Sequence, residues 1–164
     1  MNRFISKTTV FVALAALLFS CKNNDDTTPI DVDKEFSFTA PDGTELTLQE
    51  DHTYISKYRD NLYSLYATTN GQYWNEIISL MMDFNDLDKY SPNEDVKAER
   101  IDFGMMASSN SNYTTTEFTG KIYLLNYSKA EVSLYFNNLI FNIADGSYTI
   151  NGKLTLPIIL NDAD

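Results

Sequence analysis

From Phe36 onward, apolar and polar residues alternate with a period of two, and that rhythm confines the chain to β-structure. Phe36, Phe38 and Ala40 alternate with Ser37 and Thr39, and beyond Pro41-Asp42-Gly43 the residues Leu46 and Leu48 alternate with Glu45 and Thr47. A three-residue loop sets position 40 opposite 44, 38 opposite 46 and 36 opposite 48, so phenylalanines face leucines. Pro and Asp suit the type I turn of such a loop, and Gly43 suits the left-handed bulge position that follows it.

The C-terminal third follows the same logic. Leu139, Phe141 and Ile143 share one parity, Asp145-Gly146 is a two-residue turn signal, and Tyr148 and Ile150 follow. That turn predicts Ile143 opposite Tyr148 and Phe141 opposite Ile150. Asn151-Gly152 resembles a further turn, but a tight reversal there would carry Lys153 onto the core face. Residues 147–156 therefore read as one strand, with Gly152 as a bulge or a site of close backbone contact. Val132, Leu134 and Phe136 alternate up to Asn137-Asn138, where the parity shifts to Leu139; this means either a tight turn or a bulge in one long strand.

Further strands are expected at 62–68, 99–106 and 120–127. Segment 73–84 fits either a helical stripe or a strand face. Pairing Tyr66 with Trp74 and Leu62 with Ile78 around a Thr69-Asn70-Gly71 loop favours strand. Residues 85–98, acidic with Pro92, and 107–117, rich in Ser, Asn and Thr, read as loops. The expected fold class is all-β: an antiparallel β-sandwich or barrel of about eight strands in a single domain over 36–164.

The N-terminal segment reads differently. Arg3 and Lys7 precede the unbroken apolar run from Val10 to Phe19, which is half the roughly 20 residues needed to span a bilayer and is the length of a signal-peptide core. Leu18-Phe19-Ser20-Cys21 resembles the lipobox of bacterial lipoproteins. The resemblance implies cleavage after residue 20, a diacylglyceryl group on the Cys21 thiol, and an acylated (palmitate-type) amino terminus. Each buried CH₂ contributes about 0.8 kcal/mol, so two or three such chains hold a protein on a membrane.

Residues 21–35 are acidic and lack apolar periodicity, and read as a flexible tether. Lys22 followed by Asp25-Asp26 is similar to the export signal of Bacteroidetes surface lipoproteins. This implies an outer-membrane lipoprotein exposed at the cell surface, the periplasmic face being the alternative. Asp26-Thr27-Thr28 fits an O-glycosylation pattern of the same bacteria, which makes Thr27 a candidate acceptor. The run Gly120-Lys121-Ile122, Val132 to Phe136 and Asp145 to Pro157 resembles the C-terminal sheet of small Bacteroidetes lipoproteins. It implies fold and location, and no catalytic residue transfers with it.

Composition narrows the function. The net charge is −11, and it becomes more negative once Arg3 and Lys7 leave with the signal peptide; such a field repels nucleic acid and anionic lipid headgroups. Membrane attachment therefore falls to the acyl chains. With Cys21 as the sole cysteine, the domain is held by its core without disulfides.

His52 is the sole histidine, follows Glu50-Asp51, and has no Gly-x-Ser-x-Gly serine to serve. One histidine is too few for zinc. Asp83-Phe84-Asn85-Asp86-Leu87-Asp88 offers oxygens but breaks the EF-hand pattern at Leu87. No catalytic, metal or cofactor residue is assigned.

Eleven tyrosines and ten phenylalanines remain to be explained. Tyr123 and Tyr135 oppose the core parity and are the candidate ligand-binding residues, since exposed aromatic platforms hold sugar rings and protein partners. The leading expectation is a non-enzymatic accessory module at the cell surface, binding a glycan or an envelope protein. The alternatives are a lipocalin-like barrel for a small apolar ligand and a carboxylate-based hydrolase.

Overall fold

The computed structural model describes residues 32–58, 61–70, 77–107, 110–115, 117–143 and 146–161. The strands are β1 (Ser37–Thr39), β2 (Glu45–Leu46), β3 (Tyr54–Lys57), β4 (Leu62–Thr68), β5 (Ile77–Asn85) and β6 (Glu94–Asp95). They continue as β7 (Ala98–Ala107), β8 (Asn110–Thr115), β9 (Phe118–Tyr127), β10 (Glu131–Ile143) and β11 (Gly146–Leu160). One-turn 3-10 helices occupy Glu50–His52 and Leu87–Lys89.

The strands form one mixed sheet in the order β6-β9-β10-β11-β3-β4-β5-β7-β8, with β1 on β11 and β2 on β1. All neighbours are antiparallel except β11 and β3. The all-β expectation holds, and the architecture is a curled sheet, a half-barrel.

Chain connectivity explains the curl. β6 stands at one end of the strand order and β7 next to the other end, yet only residues 96–97 join them. Three extended residue steps reach about 11 Å, so the two ends of the sheet come together. β8 and β9 repeat the constraint across residues 116–117.

The inner face is filled by rings from opposite parts of the sheet. Phe103 on β7 lies 4.7 Å from Tyr148 on β11, 6.0 Å from Phe141 on β10 and 6.5 Å from Phe38 on β1, between ring centroids. All four are buried in one continuous core. Tyr63 and Tyr127 add a link between β4 and β9, their hydroxyls 2.8 Å apart; burial pushes the Tyr63 phenol up, aided by Tyr127.

The N-terminal hairpin follows its sequence: Phe38 pairs with Leu46, Ala40 N donates to Thr44 O at 2.8 Å, and Gly43 has φ +87°. Its outermost expected pair is not made, because Leu48 bridges Thr69 instead. The C-terminal hairpin is shifted: Ile143 pairs with Gly146, Phe141 with Tyr148 and Leu139 with Ile150. Gly146, expected in the turn, is the first residue of β11, and residues 144–145 lie outside the described residues.

The parity change at Asn137-Asn138 is a bulge in one strand, with Asn138 at φ +49°. Gly152 is a close-contact site within one strand: a Cβ there would collide with the Glu35 carbonyl, and Lys153 N donates to Lys34 O at 2.9 Å. Lys34 and Glu35, placed in the tether by the sequence, are therefore already docked on β11.

Further differences lie in the middle of the chain, with β6 falling inside the expected 85–98 loop. Segment 77–85 is strand β5, but Leu62 pairs with Asn85 and Tyr66 with Met81, so the β4–β5 loop is longer than a Thr-Asn-Gly turn; Trp74 lies outside the described residues. Residues 110–115 form strand β8 rather than loop, paired only to β7 among the described residues. An edge strand gains its hydrogen bonds from one neighbour and tolerates Asn, Ser and Thr, which read as turn residues in isolation. Strand β3, paired antiparallel with β4, was not foreseen.

Candidate binding face

The register of β3, β4, β5 and β7 fixes what faces away from the core. Tyr63, Leu65 and Ala67 of β4 point inward and are buried. The opposite parity lines up as rows across four strands. One row runs Ser56, Ser64, Asp83, Arg100; the next runs Tyr54, Tyr66, Met81, Asp102; the third continues Thr68, Ser79, Gly104.

An outward face of an open sheet is expected to be solvated and charged. This one is not. Ser56, Ser64, Ser79 and Asp102 are all buried, and Asp102 is only 1% exposed. Burying polar groups requires partners. Ser64 Oγ donates to Asp83 Oδ1 at 2.5 Å, and Asn161 Nδ2 donates to Ser56 Oγ at 3.2 Å. Arg100 Nη2 sits 2.6 Å from Asp102 Oδ2, with the arginine side chain 55% exposed over a carboxylate that is not.

Tyrosines form the other part of this face. The rings of Tyr54 and Tyr66 lie 5.3 Å apart at 33°, and the hydroxyls of Tyr58 and Tyr66 are 3.0 Å apart. Burial, and then the Tyr58 hydroxyl, push the Tyr66 phenol up to about 12. Beside Tyr66 a cavity of about 270 Å³ opens, lined by Tyr66, Thr68, Ser79, Met81, Arg100 and Asp102. Its wall combines an aromatic ring, a thioether, a guanidinium and hydroxyls. That set stacks on a ring and exchanges hydrogen bonds with a hydroxylated or amide-bearing partner.

Sequence reasoning missed this face because its register for β4 turned Tyr66 towards the core. Tyr123 and Tyr135, the residues it chose, do pair directly on the outer face of β9 and β10. There Tyr135 is buried at 5% exposure, next to Lys153 on β11, so the pair is not an open platform. Asp95 pairs with Tyr123 from β6 and lies 3.6 Å from the Lys121 amine. Cys21 and Thr27 lie outside the described residues.

The remaining candidates are dispersed. His52 is exposed beside a separate cavity of about 540 Å³ with Gln49, Glu50 and Asp51. The acids of the 83–88 run each have their own partner: Asp83 holds Ser64, Asp86 binds Lys89 at 2.8 Å, and Asp88 meets Lys57 at 3.4 Å. Lys89 accordingly holds the Asp86 carboxyl below its usual range. Among the described residues no helix is long and apolar enough to cross a membrane.

These features define a curled all-β domain whose second face is partly sealed and carries a small aromatic-polar cavity. The chain matches no protein-family model, no curated protein and no solved structure.

Proposed function

We propose that the chain is a lipid-anchored, non-enzymatic binding module of the bacterial cell surface, holding a glycan or an envelope protein on the outer face of β3, β4, β5 and β7. The observation that carries this reading is the cavity beside Tyr66, where Arg100 is held over the buried Asp102. A polar outward face that folding has already dehydrated and ordered binds at lower entropic cost than a mobile one. This site replaces Tyr123 and Tyr135 as the centre of the proposal.

The position of the lead supports the same reading. Lys34 and Glu35 dock on β11, in the half of the sheet that does not carry the cavity. On this reading the lipid-anchored lead joins the domain at β11 and leaves the outer face of β4, β5 and β7 to a partner. The filled interior, with Phe38, Phe103, Phe141 and Tyr148 packed across it, favours a surface ligand over an apolar one held inside.

Two experiments on the full chain test the proposal. Cys21→Ser is expected to move the protein from the membrane to the soluble fraction and to abolish palmitate labelling. Glycan-array and envelope pull-down binding is expected to fall at least tenfold on Tyr66→Ala. Clean negatives against broad glycan and envelope-protein panels contradict the binding function.

A further inference from the structure

We infer that the cavity beside Tyr66 takes one uncharged pyranose residue of a glycan, with Asp83 and Arg100 clamping two neighbouring hydroxyls; this rests on the glycan-binding reading above. Size comes first. A cavity of about 270 Å³ falls below the 300–1,000 Å³ of sites that engulf drug-sized ligands. It holds a single ring rather than a peptide segment or an oligomer.

Chemistry comes next. The row Tyr66–Met81 supplies an aromatic and thioether floor suited to the C–H face of a sugar ring. The adjacent row sets Asp83 directly opposite Arg100. Residues two apart along a strand are separated by roughly 7 Å, so a ring seated on the floor turns its hydroxyl edge to that pair. A carboxylate only accepts and a guanidinium only donates. Neighbouring hydroxyls, each both donor and acceptor, answer both at once.

The geometry keeps the pair ready. Ser64 Oγ donates to Asp83 Oδ1 and so orients the carboxylate. Asp102 engages Nη2 of Arg100, and the arginine side chain remains 55% exposed. Charge then selects an uncharged sugar. Arg100 lies between Asp83 across the sheet and Asp102 on its own strand, in a chain of net charge −11, so a carboxylate-bearing sugar meets repulsion that one shared guanidinium does not offset.

The test titrates the full chain, in detergent, against neutral gluco-, galacto-, manno- and xylo-oligosaccharides and against oligogalacturonate. At least one neutral series is expected to bind ten times more tightly than the uronate. Arg100→Lys and Asp83→Asn are each expected to weaken that binding tenfold or more with thermal midpoints unchanged, while Tyr123→Ala changes it less than twofold. Equal or tighter uronate binding overturns the inference and leaves the glycan reading standing. Neutral binding lost in Tyr123→Ala but kept in Arg100→Lys moves the site to the other face and also overturns it. Binding of no oligosaccharide, with capture of an envelope protein sensitive to Arg100→Lys, assigns the cavity to a protein partner; no binding of either kind removes both readings. Should Arg100→Lys fail to fold, Asp83→Asn alone decides, since asparagine still accepts from Ser64.

Discussion

The two halves of the sheet share one aromatic core but turn different outer faces to their surroundings. On β9, β10 and β11 the outer face is a ladder of matched pairs: Tyr123 with Tyr135, Tyr135 with Lys153, and Ser133 Oγ 2.8 Å from Thr155 Oγ1. On β3, β4, β5 and β7 small polar residues and a buried carboxylate sit between tyrosines and an arginine, and a cavity opens among them. Both faces are aromatic, so aromatic content alone does not mark a site. The distinguishing features are a buried charge, a guanidinium held over it and an opening beside a ring. The described contacts of Lys34 and Glu35 are made with the other half, on β11.

Mutations separate the faces by magnitude. Arg100→Ala strips the main cation from a carboxylate that is 1% exposed. Breaking a buried pair in this way costs about 3–5 kcal/mol, and the partial exposure of Arg100 places the expected loss near the lower end, at about 3 kcal/mol. The converse change, Asp102→Ala, leaves a guanidinium that water can solvate and is expected to cost less than half as much. Urea unfolding of both variants measures this asymmetry; equal losses would mean that the burial of Asp102 is not what matters.

Thr68 provides a change of opposite sign. Its hydroxyl oxygen lies buried at the cavity wall with no hydrogen-bond partner among the described residues. Thr68→Val is therefore expected to stabilise the fold by about 1 kcal/mol, seen as a raised midpoint in the same unfolding assay. On the other face, the exposed Lys121–Asp95 pair at 3.6 Å gives Lys121→Ala an effect within about 0.5 kcal/mol.

Alkaline pH sharpens the contrast further. Tyr66 has a folded-state pKa of about 12, above the unfolded value near 10. Its contribution to stability is complete below pH 10 and is lost as pH rises towards 12, because the buried phenol must then ionise. Thermal midpoints measured from pH 9 to 12 should fall across that window. Tyr66→Phe should make the fall shallower, the remainder belonging to Tyr63, whose phenol burial also pushes up.

These faces were unequally legible in the sequence. The C-terminal hairpin moved by two residues from its expected register, Phe141 pairing with Tyr148 instead of Ile150, and an even shift leaves every side chain on its predicted face. Tyr123 and Tyr135 accordingly lie outward, as their parity indicates. In the β4–β5 hairpin Leu62 pairs with Asn85 instead of Ile78, an odd shift, and the expected inner and outer faces of β4 exchanged places. Tyr66 thereby left the core and became the wall of the cavity.

The difference lies in the loops. Asp145-Gly146 narrows the turn to neighbouring positions, whereas Asn70-Gly71 after Thr68 suggests a short turn that the register of β4 and β5 does not follow. The buried state of Asp102 was hidden for a related reason. Its parity opposite Ile101 and Phe103 places it outward, and only the assembled sheet shows that outward here does not mean solvated. The parallel contact of β11 with β3 joins residues a hundred positions apart, beyond the reach of any local pattern.

On the proposed reading the partner meets the β3–β4–β5–β7 face and not the Tyr123–Tyr135 face. Hydroxyl-radical footprinting of the full chain decides this, comparing intact cells with the purified protein in detergent. Protection of Tyr66 and Met81 on cells, with Tyr123 labelled equally in both states, is the predicted result. Protection of Tyr123 with Tyr66 and Met81 unchanged, or no difference at either face, would contradict it.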